Sequence, residues 1–226
     1  MKSGNTIKSV LFDLDGTLLD TEPDFVFAIN QLLKNHHKAE LIPGALRTAV
    51  AYGSAEMLKC AFDITEADSQ FAELRKQLLT LYHDNIARFT KPFEGINEVL
   101  TSLSERKLQW GIVTNKPGWL TTPLLKQITF SPAPACVVSG DTLANRKPHP
   151  EPLLHACNLL NCAPNECIYI GDTDIDILAA NNADIPILIA EYGYLALSQQ
   201  NKAHHKVAAY IKQPIEIIQW LDKSEQ

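Results

Sequence analysis

The residues with the clearest chemical potential lie in FDLDGTLLDTEPD, residues 12–24. Asp13 and Asp15 flank one leucine directly after the apolar run SVLF, and Asp20, Glu22 and Asp24 follow closely. Carboxylates this close repel one another unless something positive sits among them. Three further stretches carry matching functionality: Thr114 and Asn115 in VTN, Lys147 in RKPHPEP, and Asp172 and Asp176 in GDTDID. Two acids, a hydroxyl, an amine and a second acidic pair suit phosphoryl transfer. Phosphate monoesters hydrolyse so slowly that a catalyst must supply upwards of ~20 kcal/mol. One carboxylate can attack phosphorus and split the reaction in two. A hard cation held by carboxylates neutralises the dianion. A lysine and a hydroxyl hold the remaining oxygens. A second acid protonates the leaving oxygen and later takes a proton from water.

These residues need elements that bring them together. Short, nearly continuous apolar runs read as buried strands: residues 9–12, 108–113, 135–139, 167–170, 185–190 and, more weakly, 206–211. Such runs suit parallel strands covered on both faces. Helical patterns alternate with them. Ile96, Val99, Leu100 and Leu103 form one stripe, and Leu153, Leu154, Cys157 and Leu160 another. This alternation predicts an α/β fold with a doubly wound, Rossmann-like parallel sheet. In such sheets ligands bind beyond the carboxyl ends of the strands. The candidate residues follow the first, second, third and fourth core strands, so all would reach one edge.

Residues 21–89 break the alternation. Residues 23–37, 46–62 and 66–89 read as three helical stretches without a convincing strand. KPFEG, residues 91–95, punctuates the return with Pro92 and Gly95. The predicted organisation is a Rossmann-like core, residues 1–18 and 90–226, with a helical cap, residues 19–89, inserted after the first strand.

Composition narrows the class. The chain has 226 residues, of which 46% are hydrophobic and 20% charged, enough for a sizeable core. The formal charge of −6 argues against a nucleic-acid partner and requires any anionic substrate to be met by a local positive site. The N-terminus lacks a signal-peptide run and no segment is long enough to span a membrane, so a cytoplasmic protein is expected. Cys60, Cys136, Cys157, Cys162 and Cys167 include no C-x-x-C pair. Reduced thiols are the expected reading, since the spacing of Cys157, Cys162 and Cys167 is wrong for a zinc knuckle.

FDLDGT, VTN, the lysine of KPHP and GDTDID resemble the four motifs of the haloacid dehalogenase superfamily of phosphohydrolases. The helical insert resembles the cap of the subfamily containing phosphoglycolate phosphatase and β-phosphoglucomutase. The resemblance implies Mg²⁺ as cofactor and Asp13 as nucleophile and metal ligand. It makes Asp15 the general acid/base, with its carbonyl on the metal. Thr114 and Asn115 would bind phosphate, and Lys147 would pair with phosphate and Asp13. Asp172 would be a further metal ligand, with Asp176 acting behind it. Considered singly, Thr114 and Asn115 could instead cap a helix, and Asp172 and Asp176 could charge a helix start.

The same resemblance bears on substrate. Asp15 counts against dehalogenation, because dehalogenases lack the second aspartate. Residues 110–117, 146–157 and 191–194 resemble bacterial phosphoglycolate phosphatases, particularly a branch acting on N-acetylmuramic acid 6-phosphate. That branch usually has an acid and an arginine where Thr173 and Ile175 stand, and an acid near Ala208 and Ala209. The expected function is hydrolysis of a small-molecule phosphate monoester, phosphoglycolate-phosphatase-like. A sugar-phosphate phosphatase, a phosphomutase and a non-catalytic phosphometabolite sensor are the alternatives. Arg47, Tyr52, Gly53 and Ser54 are the cap candidates for specificity, Arg47 for a substrate carboxylate. Trp119 is expected to pack, and His36–His37 and His204–His205 to be solvated. The sequence sets no oligomeric state.

Overall fold

The computed structural model describes residues 6–194 and 206–224. His204–His205 therefore lie outside the described residues. Six parallel strands form the main sheet: β1 (Ser9–Phe12), β4 (Gln109–Val113), β5 (Cys136–Val138), β6 (Cys167–Gly171), β7 (Ile187–Ala190) and β8 (Ala209–Ile211). Their order is β5-β4-β1-β6-β7-β8. The chain builds outward from β1 to one side, then crosses back and builds to the other. The point where strand order reverses therefore lies beside β1, where doubly wound sheets open a crevice. Phe12 is in register with Ile112 on one side and Ile170 on the other. The strand exits bearing Asp13, Thr114 and Asp172 thus emerge side by side.

Alternation along β1 sends Val10 and Phe12 to one face and Leu11 to the other. On the first face they join Ile112, Ile170 and Leu188 under α5 (Ile96–Glu105) and α9 (Glu216–Ser224). On the second, Leu11 joins Val113, Tyr169 and Ile189 under α7 (Glu151–Leu159) and α8 (Asp174–Asn182). Burial of both faces is what the continuous apolar runs require. The 3₁₀ turn Pro164–Glu166 leads into β6.

Between β1 and residue 91 lie four helices: α1 (Glu22–Asn35), α2 (Arg47–Tyr52), α3 (Ser54–Phe62) and α4 (Phe71–Asp84). They share their own apolar cluster, with Phe25 stacked on Tyr82 at 3.9 Å between ring centroids. Leu120 and Tyr194 enter this cluster from the sheet side. The helical period is borne out here, but the boundaries differ. The stretch 46–62 is two helices, because Gly53 at φ +89° turns the chain between them. The last stretch becomes helical only at Phe71, after turns. The two passages to and from this layer, β2 (Leu19–Asp20) and β3 (Lys91–Pro92), pair antiparallel, a feature not legible in the sequence.

A fifth sheet-side helix, α6 (Gly118–Gln127), was not evident from sequence because Pro123 interrupts its pattern. Trp119, at its start, is corrected: it is 49% exposed, with its ring 5.8 Å from that of His83. His36 and His37 are exposed, as expected. Among the described residues no helix is long and apolar enough to cross a membrane.

Candidate active site

The strand exits open into a cavity of about 650 Å³ between the sheet edge and the helical layer. Asp13, Asp15, Thr114, Asn115 and Lys147 line its floor, and Tyr52, Gly53 and Ser54 its helical wall. Asp13 directly continues β1, its N–H donating to the Ile170 carbonyl at 2.8 Å. Gly16, at φ +86°, turns the chain behind it, and a Cβ there would lie 2.4 Å from Asp172 Oδ2. Gly193 closes the same crossing, since its Cβ would overlap the Gly16 carbonyl oxygen. These two glycines let two backbones approach the acidic pair.

Lys147 is the electrostatic centre. Its Nζ lies 2.9 Å from Asp13 Oδ1 and 2.8 Å from Asp176 Oδ1. It also lies 2.8 Å from Tyr169 Oη and 3.0 Å from the Val113 carbonyl oxygen. Three ammonium protons serve four oxygens, so this cation is fixed on every side. Burial pushes the amine towards neutrality, but Asp13 and Asp176 more than offset this and raise its pKa. The side chain of Asn115 donates to the Lys147 carbonyl at 2.9 Å, tying the lysine's loop to the end of β4. Thr114 is buried and its Oγ1 accepts from the Lys116 N–H at 3.1 Å. Neither caps α6, whose N-cap is Pro117.

Asp13, Asp172 and Asp176 each place a carboxylate oxygen within 4.8 Å of the others, all buried. Burial pushes Asp13 up to about 7, against the pull of Lys147. Burial, then Asp176 and Asp13, hold Asp172 well above the usual carboxylate range. Asp172 is nevertheless aimed: Thr17 Oγ1 donates to its Oδ1 at 3.0 Å and the Tyr194 N–H to its Oδ2 at 3.1 Å. Asp176 differs. Burial pushes its carboxyl up, but Lys147, Thr173 and Tyr169 hold it below its ordinary value. Its Oδ2 accepts from the Thr173 N–H at 3.1 Å while Thr173 Oγ1 accepts the Asp176 N–H at 3.2 Å. That capping box starts α8, so Asp176 serves the helix start and Lys147 together.

Asp15 faces the helical layer. Its Oδ1 accepts from Lys116 Nζ at 2.9 Å and from Thr21 Oγ1 at 2.6 Å. Lys116 was missed by sequence reasoning, although it is the next residue after VTN. Its buried ammonium also sits over the rings of Tyr82 and Phe25, at 4.5 and 4.8 Å from their centroids. Asp15 thus touches sheet and helical layer through one cation.

Arg47 is placed elsewhere than expected. It does not line the cavity, and its guanidinium donates to the carbonyls of Tyr192 and Gly193 at 3.1 and 2.9 Å. The cavity instead receives Arg75 from α4, whose Nε donates to Ser54 Oγ at 2.9 Å. Nothing in the helical period distinguished Arg75 from a solvated arginine.

The sequence model of haloacid dehalogenase-like hydrolases matches residues 10–190, from the strand before Asp13 to the end of β7. The chain belongs to the haloacid dehalogenase-like hydrolase family. Among curated members, it is 34% identical to the N-acetylmuramic acid 6-phosphate phosphatase of Pseudomonas aeruginosa over 96% of each chain. It is 40% identical to a phosphoglycolate phosphatase of Xanthomonas campestris, over 83% of this chain and 84% of that one. A solved structure of a predicted phosphoglycolate phosphatase from Haemophilus somnus superposes with a TM-score of 0.81 at 24% identity, covering 95% of this chain and 97% of that one. That likeness extends the family's fold over sheet and helical layer alike.

The five thiols lie away from this hydrolase site. Cys60 is exposed and the other four are buried. The fold brings Cys157, Cys162 and Cys167 within 4.8 Å of one another, a proximity their spacing did not suggest. They pack among Leu153, Ala156 and Tyr169 in the apolar cluster beneath α7.

Proposed function

We propose that this hydrolase is a Mg²⁺-dependent phosphatase of small phosphate monoesters, with Asp13 as nucleophile and Asp15 as general acid/base. The observation that carries the reading is the ion pair between Lys147 and Asp13 at 2.9 Å, on the floor of a cavity that Asp15 and Thr114 also line. The acidic set fits a hard dication. It offers only oxygen, and Asp13 and Asp172 are held above their ordinary pKa values by burial and mutual repulsion that one cation, Lys147, does not cancel. Asp13 and Asp172, with the Asp15 carbonyl, would hold Mg²⁺, and Asp176 would act behind them through Lys147. When bound, Mg²⁺ supplies charge neutralisation for the phosphate dianion.

The chain's own residues then divide the work. Lys147 and Thr114 hold phosphate oxygens and orient phosphorus towards Asp13. Asn115 acts by fixing the lysine's loop. A carboxylate oxygen of Asp13 forms the bond to phosphorus as the ester oxygen departs, taking a proton from Asp15. Asp15, now ionised, takes a proton from water as that water attacks phosphorus and releases Asp13. Lys116 and Thr21, both bonded to Asp15 Oδ1, hold its carboxyl in place for both transfers.

Phosphoglycolate and N-acetylmuramic acid 6-phosphate are the substrate candidates carried by the relatives. A cavity of about 650 Å³ accommodates the sugar phosphate as well as the two-carbon acid. Residues 1–18 and 90–226 as core, with 19–89 as cap, is the matching organisation. The test is phosphate release from p-nitrophenyl phosphate, phosphoglycolate and N-acetylmuramic acid 6-phosphate with and without Mg²⁺. No release from any of them with Mg²⁺ would overturn the reading. Isomerisation of a sugar phosphate without phosphate release would make the chain a mutase.

A further inference from the structure

Lys116, Lys147, Arg146 and Arg75 all line the cavity. On the floor, Lys147 is neutralised by Asp13 and Asp176, and Lys116 by Asp15. On the helical wall, Arg75 makes one hydrogen bond, to the neutral Ser54 hydroxyl, and no ion pair among the described residues. Its charge is therefore not spent on the protein. The chain carries a formal charge of −6, so attraction for an anion at this wall must be local. We infer that Arg75, oriented by Ser54, reads a carboxylate on the leaving-group side of the substrate and sets the enzyme's specificity for phosphate esters of carboxylic acids. This rests on the phosphatase reading above.

Three observations converge. First, the floor fixes the phosphate end, so only the wall opposite can meet the rest of the molecule. Its polar side chains are Tyr52, Ser54, Glu66 and Arg75, of which only Arg75 is a cation. Second, the bond from Nε to Ser54 Oγ at 2.9 Å orients the exposed guanidinium. The two terminal nitrogens remain as a fork, and a planar fork matches a carboxylate with two parallel hydrogen bonds. Third, the two activities named among the relatives share this chemistry: phosphoglycolate and N-acetylmuramic acid 6-phosphate are both phosphate monoesters bearing a carboxylate. Arg47, the arginine that sequence alone favours for this task, is occupied by the carbonyls of Tyr192 and Gly193. Gly53 makes the arrangement possible, since its φ of +89° ends α2 and starts α3 with Ser54 facing α4.

The experiment uses two substrate pairs that differ in the acid-bearing group: phosphoglycolate with 2-hydroxyethyl phosphate, and N-acetylmuramic acid 6-phosphate with N-acetylglucosamine 6-phosphate. In the wild type, kcat/KM favours the acid of at least one pair. Arg75→Ala should shrink that preference by about 10- to 100-fold, chiefly through KM, as loss of a charged hydrogen-bonded partner does. Arg75→Lys should restore part of it, because the charge returns without the fork. Ser54→Ala should weaken it by a smaller factor. Equal losses on both members of a pair would make Arg75 a structural residue and overturn the inference. So would a preference that Arg146→Ala removes and Arg75→Ala does not, Arg146 being the other arginine on the cavity. A wild type that hydrolyses p-nitrophenyl phosphate yet shows no preference for either acid would overturn the inference and leave the phosphatase reading standing.

Discussion

Asp13 and Lys147 form a pair whose two members fail differently when removed. Asp13→Asn keeps the shape of the site and removes the nucleophile, so turnover should fall roughly 10⁴-fold or more while the protein melts at or above the wild-type temperature. Full activity in this variant would sink the assignment. Asp15→Asn should slow turnover by about 10²–10⁴-fold, as loss of a general acid/base does. Quench-flow with labelled substrate should show phosphate accumulating on protein if the second step suffers more. Lys147→Ala leaves Asp13 and Asp176 buried without their shared cation, which should cost about 3–5 kcal/mol in denaturant unfolding. The elevated carboxyl of Asp13 also fixes a pH dependence. Its pKa is about 7 in the folded chain and lower once unfolded, so the folded state binds the extra proton between about pH 4 and 7. Stability of the metal-free protein should therefore fall as pH rises through that window. Mg²⁺ must displace that proton, so its thermal stabilisation should be larger at pH 8 than at pH 6. Equal shifts at both pH values would count against Asp13 as a ligand.

At the scale of elements, the entrance to α1 is held by tertiary bonds. Thr21 makes no side-chain cap there. The N–H groups of Thr21 and Glu22 both donate to Tyr194 Oη at 2.7 Å, and that hydroxyl bonds Asp20 Oδ1 at 3.0 Å. The Tyr194 N–H meanwhile holds Asp172. One residue thus links the acidic set to the passage into the helical layer. Tyr194→Phe should cost about 1–3 kcal/mol for each donor left without a partner, read as a lower denaturant midpoint. Asp24 does the equivalent for the return, accepting from the Phe89 N–H at 2.7 Å and Thr90 Oγ1 at 2.6 Å. Glu22 and Asp24 lie in the first turn of α1, where acids are favourable. Burial of Glu22 and Asp24 shows the larger role, because buried carboxylates need donors and here the donors come from Gly44, Phe89 and Thr90.

Across the whole molecule, three apolar clusters keep chemistry apart from packing. Two lie on the faces of the sheet and one inside the helical layer. The cavity runs along the seam between the last of these and the sheet edge. Four of the five cysteines belong to the packed regions. An aromatic disulfide reagent should titrate one thiol, Cys60, in the folded protein and five in denaturant. Rapid titration of more than one in the folded state would contradict the burial. Lys116 spans the seam, bonded to Asp15 on one side and resting on Phe25 and Tyr82 on the other.

The apolar runs that become strands, the helical stretch after the first of them and the four stretches bearing Asp13, Thr114, Lys147 and Asp172 were legible in the sequence, because burial on two faces writes itself as apolar runs and chemistry at a sheet edge writes itself just after them. Local period also located the helices, though Pro123 hid one and turn chemistry blurred the ends of others. Side-chain direction was another matter. Arg47 and Arg75 both sit on helices of the insert with nothing local to separate them. Only packing of α2 against the Tyr192–Tyr194 turn, and of α4 against α3, sent one to backbone carbonyls and the other into the cavity. The same holds for Lys116 and Tyr169, whose partners lie 101 and 22 residues away in the chain. Residue type and spacing determine which groups a strand end can deliver. Which of them meet, and which remain free for a substrate, is decided by contacts between distant segments that no local pattern encodes.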